Sequence, residues 1–131
     1  MIPLRCDIDS YVKDMKADVE DWRYRIERNE NRRDNNQLFE DYVIDEAKAR
    51  EILLSIETKD FSSVVNNVNP RYPNERLYIF GKDVLLVEKY SESEKVVPLY
   101  IKFNKLEMKS GSFVIVVSFH EQKRPLTYPF R

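Results

Sequence analysis

Short apolar runs joined by short connections make up the chain from about residue 76 onward. The runs are rich in β-branched and aromatic residues, which favour strands. A parallel crossover needs about a dozen residues or more, so connections this short allow only hairpins. The sequence therefore predicts a four- to five-stranded antiparallel sheet over about residues 76–130. The runs are RLYIF, VLLVEKY, VPLYIKF, SFVIVVSF and LTYPF, and the connections are GKD, SESEK, NKLEMKSG and EQKRP.

The first part of the chain has the periodicity of helices. Apolar residues recur at intervals of four and three from Ile8 to Ile26, which predicts an amphipathic helix over about residues 9–29. The polar stretch NENRRDNNQ that follows is predicted to be a loop. A second helix is predicted through FEDYVIDEAKAREILLSI, and a short third helix through TKDFSSVVNNV. The apolar stripe of the first helix is Ile8, Val12, Met15, Val19, Trp22 and Ile26.

Together these patterns predict one α+β domain over residues 1–131, with a helical half at about 8–68 and a sheet half at about 76–130. The helices would cover one face of the antiparallel sheet. Two alternatives remain for the first helix. It packs on its own domain, or it mediates a homodimer through its apolar stripe.

Composition argues against several kinds of site. The only glycines are Gly81 and Gly111, so the glycine-rich loops that bind nucleotide cofactors are missing. The single cysteine, Cys6, has no CxxC partner, which argues against a zinc site and favours a cytoplasmic location. No stretch approaches the roughly 18 apolar residues of a membrane span, and the N-terminus lacks the apolar region of a signal peptide. We therefore expect a cytoplasmic protein that needs no cofactor or metal and contacts no membrane.

Charge is divided unevenly along the chain. Residues 1–57 carry 10 Lys and Arg against 15 Asp and Glu, whereas residues 58–131 carry 12 against 8. A basic second half is suited to contact with phosphates, although ordinary solvated surfaces explain the asymmetry equally well.

Alternation along the strand VPLYIKF separates two kinds of side chain. Residues two apart share a face of the sheet, so Tyr100 and Lys102 lie together. The opposite face carries the larger apolar set and is expected to meet the helices. That inward set is Leu99, Ile101 and Phe103.

The same argument applied to SFVIVVSFHEQ places His120, the only histidine, on the open face. Because the two strands are joined by a hairpin, His120 is expected near Tyr100 and Lys102, with Lys123 and Arg124 close by. The residues expected to face inward are Phe113, Ile115, Val117 and Phe119, and those expected to face outward are Val114, Val116, Ser118, His120 and Gln122.

Such a cluster suits RNA cleavage without a metal ion. That reaction needs a base for the 2′-hydroxyl proton, an acid for the leaving 5′-oxygen and cations for the charge on the phosphorane. Histidine serves as acid or base near neutral pH, and lysine and arginine supply the cations. Tyrosine donates a hydrogen bond or stacks on a base. Spacing alone leaves a plain core strand that ends in a charged turn as the alternative.

The order LLSIETKDF, LYIF, VPLYIKF and VIVVSFHE resembles the small bacterial toxin–antitoxin mRNA interferases of the motility quorum-sensing regulator (MqsR) type, within the RelE-like ribonuclease group. The shared features are a Leu-rich segment that ends in Asp-Phe, a Tyr-x-Lys strand, and a last strand that ends in Ser-Phe and a basic residue. The resemblance covers roughly residues 50–121. It implies a RelE-like fold, endoribonuclease activity, RNA as substrate and a cognate antitoxin protein as partner.

Carried over by position, the resemblance implies catalytic roles for His120, Lys102 and Tyr100. The candidates for binding RNA phosphates are Lys123, Arg124 and Lys105. His120 itself stands where these toxins have a catalytic lysine, which histidine can replace in acid–base work. Two further positions depart from the pattern, because Ser63 stands where these toxins have another lysine and Glu75 falls near one of their glutamines. The alternative function is a non-enzymatic module on the same scaffold, which binds protein or nucleic acid and assembles through the first helix.

Overall fold

The computed structural model describes residues 2–131 and has the expected α+β architecture, with helices against one face of a five-stranded sheet. The helices are α1 (Arg5–Glu20), α2 (Arg33–Asp41) and α3 (Glu46–Leu54), and a 3₁₀ turn spans Thr58–Asp60. The strands are β1 (Tyr24–Ile26), β2 (Phe61–Asn66), β3 (Arg76–Val87), β4 (Glu94–Met108) and β5 (Gly111–Glu121).

The sheet is mixed, which corrects the expectation of a purely antiparallel one. Its strand order is β1-β5-β4-β3-β2. Strands β2 to β5 form an antiparallel meander, but β1 pairs with β5 in parallel. The fifth strand therefore comes from residues 24–26, inside the predicted helical half, while the LTYPF segment forms no strand. The division into a helical first half and a sheet second half is too simple for the same reason.

Helix α1 is shorter than predicted because the chain reverses direction after Glu20. Trp22 adopts a left-handed conformation with φ 61°, and the amide of Arg23 returns to the carbonyl of Asp18 at 2.8 Å. Trp22 is 57% exposed, and Ile26 lies in β1. The other four stripe residues, Ile8, Val12, Met15 and Val19, are buried in the core of the same chain. The stripe proposed for a homodimer is thus occupied within the monomer.

The second predicted helix is divided in two by an extended segment. Tyr42 forms a β-bridge with Glu88, and the amide of Val43 donates to the carbonyl of Val87 at 2.8 Å. Helix α3 then starts at its N-cap Asp45, whose carboxylate accepts from the Lys48 amide at 2.7 Å. The predicted third helix is a 3₁₀ turn followed by strand β2, because the backbone of SSVVN pairs with β3 instead of with itself.

Strand β3 runs unbroken through the predicted GKD turn. Gly81 pairs with Tyr100 in the ladder instead of turning the chain. A Cβ at Gly81 would lie 2.7 Å from the Leu126 side chain and 2.9 Å from that of Gln122, and it would also clash with the Tyr128 hydroxyl. The glycine therefore makes room for the C-terminal segment to cross the sheet.

A β-bulge in β5 changes which of its residues face the core. Lys102 pairs with Ser118 but Phe103 pairs with Val116, which leaves Val117 as the extra residue. Val114 and Val116 are consequently buried, and the expectation that Phe113, Ile115 and Val117 face inward is wrong. Beyond the bulge the prediction holds, since Phe119 is buried. The inward set of β4 is also as predicted: Leu99, Ile101 and Phe103 have no exposed surface.

Asn35 of α2 supports the backbone of β5 at the bulge. Its amide nitrogen donates to the carbonyls of Glu27 at 2.9 Å and Val117 at 3.1 Å, and its oxygen accepts from the amide of Phe119 at 2.7 Å. The side chain is 2% exposed. Asn35 thus satisfies main-chain groups of β5 beyond the short ladder with β1.

We predict that Asn35→Ala lowers the free energy of unfolding by about 2–3 kcal/mol, because buried main-chain groups lose their partners. Urea denaturation followed by circular dichroism measures this. Asn36→Ala is the matched control, since Asn36 makes exposed hydrogen bonds to Asn29 and Arg28, and it should cost less than about 1 kcal/mol. Equal losses in the two variants would contradict a special role for Asn35.

Candidate functional site

Two adjacent cross-strand rows on the open face hold the residues singled out in the sequence. Residues directly opposite in a ladder share a face and stand side by side. The first row is Gly81, Tyr100 and His120, and the second is Ser63, Ile79, Lys102 and Ser118. The structure therefore brings Tyr100, Lys102 and His120 together.

The rings of Tyr100 and His120 stack, with their centroids 5.0 Å apart and their planes at 12°. The Nδ1 atom of His120 lies 2.9 Å from the carbonyl oxygen of Glu121. A carbonyl oxygen only accepts, so this contact places a proton on Nδ1 and leaves Nε2 of the neutral ring as an acceptor. Burial raises the pKa of Tyr100, which keeps the phenol as a hydrogen-bond donor.

Lys102 lies beside this stack, with its Nζ 5.9 Å from the centre of the Tyr100 ring. The side chain is half-buried. Burial lowers the pKa of Lys102, and the nearby Arg32 guanidinium lowers it further. Lys102 is thus an ammonium whose environment favours loss of the proton more than at an ordinary surface lysine.

A trough of about 720 Å³ runs along the open face from Lys102. The segment from Asn66 to Glu75 forms one wall, and Arg25 and Arg32 stand on the opposite side. Glu75 lies within this trough, where its carboxylate accepts from Asn67 at 3.0 Å and Asn104 at 3.1 Å. The open face therefore combines cations, the carboxylates of Glu27 and Glu75, and fixed amide groups.

Lys123 and Arg124 follow the end of β5. The Lys123 ammonium pairs with Asp34 of α2 at 2.8 Å, and this hydrogen bond lowers the pKa of the Asp34 carboxyl. Lys123 and His120 both line a small cleft of about 270 Å³ against α2. Arg124 is exposed just beyond it.

Lys105, a predicted phosphate ligand, does not belong to this cluster. Alternation along β4 sends it to the helical face, where its Nζ lies 5.4 Å from the centre of the Tyr11 ring. There it pairs with Asp14 at 3.3 Å and Glu107 at 3.8 Å. A residue an odd number of positions from Lys102 cannot share its face on an unbroken strand.

The Asp-Phe motif is structural in this fold. Asp60 is 1% exposed, and its carboxylate accepts from the Glu57 amide at 2.9 Å within a capping box. It also pairs with Lys82 and with Arg131, each at 3.3 Å. The ring of Phe130 stacks on Phe61 at 5.8 Å. The motif thereby fastens the C-terminal segment to the core.

Sequence reasoning missed Arg32, because it lies in the stretch NENRRDNNQ that was predicted to be a loop. Nothing in that polar stretch distinguishes Arg32 from its neighbour Arg33. Its position becomes apparent only when Asn35 attaches α2 to β5.

We predict that Lys102→Met increases thermal stability at pH 7, because the folded state holds the Lys102 proton less firmly than the unfolded chain does. The protonated Lys102 therefore destabilises the folded state. This destabilisation is fully present at neutral pH and disappears as the pH rises through the lowered pKa toward the ordinary value of 10.5. Calorimetry of both proteins from pH 7 to 10.5 should show that the difference between their melting temperatures becomes smaller as the pH rises. A variant that is less stable throughout would contradict the prediction.

Among residues 2–131 no helix is long and apolar enough to span a membrane. Comparison of the chain with protein-family models, with curated protein sequences and with solved structures yields no match.

Proposed function

We propose that this protein is an endoribonuclease of the toxin class that cleaves RNA on the open face of its sheet. The observation that carries the proposal is the stack of Tyr100 and His120 with the half-buried Lys102 beside it. These are an acid–base group stacked at 5.0 Å on a neutral hydrogen-bond donor, and a cation 5.9 Å from the centre of that donor's ring.

In the proposed reaction the 2′-oxygen of a ribose attacks the adjacent phosphorus. The Nε2 atom of His120 takes the 2′-hydroxyl proton as the bond forms. The bond from phosphorus to the 5′-oxygen breaks, and the Lys102 ammonium gives its proton to that oxygen. A 2′,3′-cyclic phosphate and a free 5′-hydroxyl result, and exchange with water restores both side chains.

Tyr100 donates a hydrogen bond to a non-bridging phosphate oxygen and fixes the plane of the His120 ring by stacking. Lys123 and Arg124 attract the RNA backbone at the adjacent end of β5. The trough accepts the nucleotides next to the cleaved bond, and its open shape favours a single strand with accessible bases.

The toxin assignment rests on the resemblance of the Tyr-x-Lys strand and the Ser-Phe-His ending to MqsR-type mRNA interferases. It implies a cytoplasmic protein whose antitoxin covers the basic open face. Assembly through the first helix is disfavoured, because Val19 at the centre of its stripe has no exposed surface.

We predict that His120→Ala reduces cleavage of a fluorescent single-stranded RNA by about 10²- to 10⁴-fold, the usual contribution of a general base. Growth inhibition on expression should be lost in parallel. Lys105→Ala is the control, because it removes a cation from the opposite face of the sheet. Once circular dichroism shows that this variant is folded, it should cleave RNA at a rate within a few-fold of that of the unaltered protein.

Full activity of His120→Ala would exclude the proposed mechanism. Binding of RNA with steep salt dependence but without cleavage, in the unaltered protein, would instead indicate a nucleic-acid-binding module without chemistry.

A further inference from the structure

Two cations on the open face lack an acidic partner. Lys102 and Arg32 both line the trough, and within residues 2–131 neither forms an ion pair. Other partly buried lysines behave differently. Lys82 pairs with Asp60 and Lys105 pairs with Asp14.

The carboxylates that line the trough are engaged elsewhere. Glu27 pairs with Arg25 at 3.3 Å, and Glu75 accepts from two asparagine amides. Neither neutralises Lys102, which is half-buried and lies near a second positive charge. Such an arrangement is unfavourable on its own, and an anion placed between the two cations relieves it.

We infer that Arg32 and Lys102 bind one and the same phosphate of the substrate RNA, the one at which the chain is cut. Lys102 neighbours the Tyr100–His120 stack, so a phosphate bound there lies next to the proposed base. The planar guanidinium of Arg32 is suited to hold two non-bridging oxygens at once, whereas the Lys102 ammonium acts as a point charge.

The backbone at Arg32 is held near β5 by contacts of α2. Arg32 is the N-cap residue of α2, and Asn35, three residues later, is bonded to Val117 and Phe119 of β5. His120 directly follows Phe119. Asn35 therefore links the backbone positions that carry the guanidinium and the imidazole, whereas the Arg32 side chain itself is exposed.

This inference rests on the proposed function, and steady-state cleavage tests it. We expect Arg32→Ala to lower kcat about 100-fold, with a smaller change in KM, because the charge on phosphorus grows in the transition state. Arg32→Lys should restore only part of the loss, since an ammonium cannot bind two oxygens in parallel. Arg33→Ala is the matched control and should stay within about threefold.

A double-mutant comparison tests whether the two cations share one phosphate. If they do, the combined Arg32→Ala and Lys102→Ala variant loses clearly less activity than the product of the two single losses. Independent, multiplicative losses would overturn the shared phosphate. If Arg32→Ala lowers kcat no more than Arg33→Ala does, Arg32 has no role in cleavage.

A measurement without catalysis separates this inference from the proposed function. The ¹³Cε signal of Lys102 is followed by NMR during titration, in the intact protein and in Arg32→Ala. Inorganic phosphate should raise the pKa of Lys102 in the intact protein and much less in the variant. If phosphate raises the pKa of Lys102 but the protein does not cleave RNA, the proposed nuclease activity is refuted and the anion site stands. If the protein cleaves RNA but phosphate leaves the Lys102 signal unchanged, the anion site is refuted and the nuclease activity stands.

Discussion

The side-chain amide of Asn35 is the contact on which the geometry of the open face depends. It satisfies the carbonyl of Val117 and the amide of Phe119 on either side of the bulged stretch of β5. The ladder with β1 ends at Val116, and main-chain groups left without partners in the interior cost about 1–3 kcal/mol each. By bonding both groups, Asn35 supports β5 where β1 no longer pairs with it. The bulge reverses the alternation of β5 and leaves His120 opposite Tyr100.

The charged groups of Asp60 and Lys102 have contrasting surroundings. The buried carboxylate of Asp60 is met by Lys82, Arg131 and a backbone amide, so its charge is compensated within the protein. Lys102 has no ion-pair partner among residues 2–131 and lies in a trough open to solvent. A perturbed titratable group in a cleft, with a named cause, is a recognised mark of a functional site. The contrast is between Asp60, whose charge is paired within the fold, and Lys102, whose charge faces the trough.

The sequence predicts the α+β class, the hairpins of the last three strands and the meeting of Tyr100, Lys102 and His120, because alternation is a local property of strands. It fails for Val117 and its preceding neighbours, since strict alternation does not anticipate the extra residue that a bulge inserts. Strand β1 is missed for a similar reason. Ile26 continues the helical spacing, and only its parallel pairing with Val116 makes that segment extended. Lys105 was misplaced although alternation alone sends it to the opposite face.

The acidic first half and the basic second half of the chain do not form separate surfaces, because the sheet topology brings parts of both halves together. The acidic first half contributes β1 and α2, and both are attached to β5 of the basic second half. Arg32 from the acidic half therefore lines the same trough as Lys102 of the basic half. The net charge of a stretch of sequence does not describe such a site, because the electrostatic field there is set by the few charges nearest to it in space. The pairing of strands from the two halves of the chain thus places Arg32 and Lys102 along one trough, and no single stretch of sequence carries both.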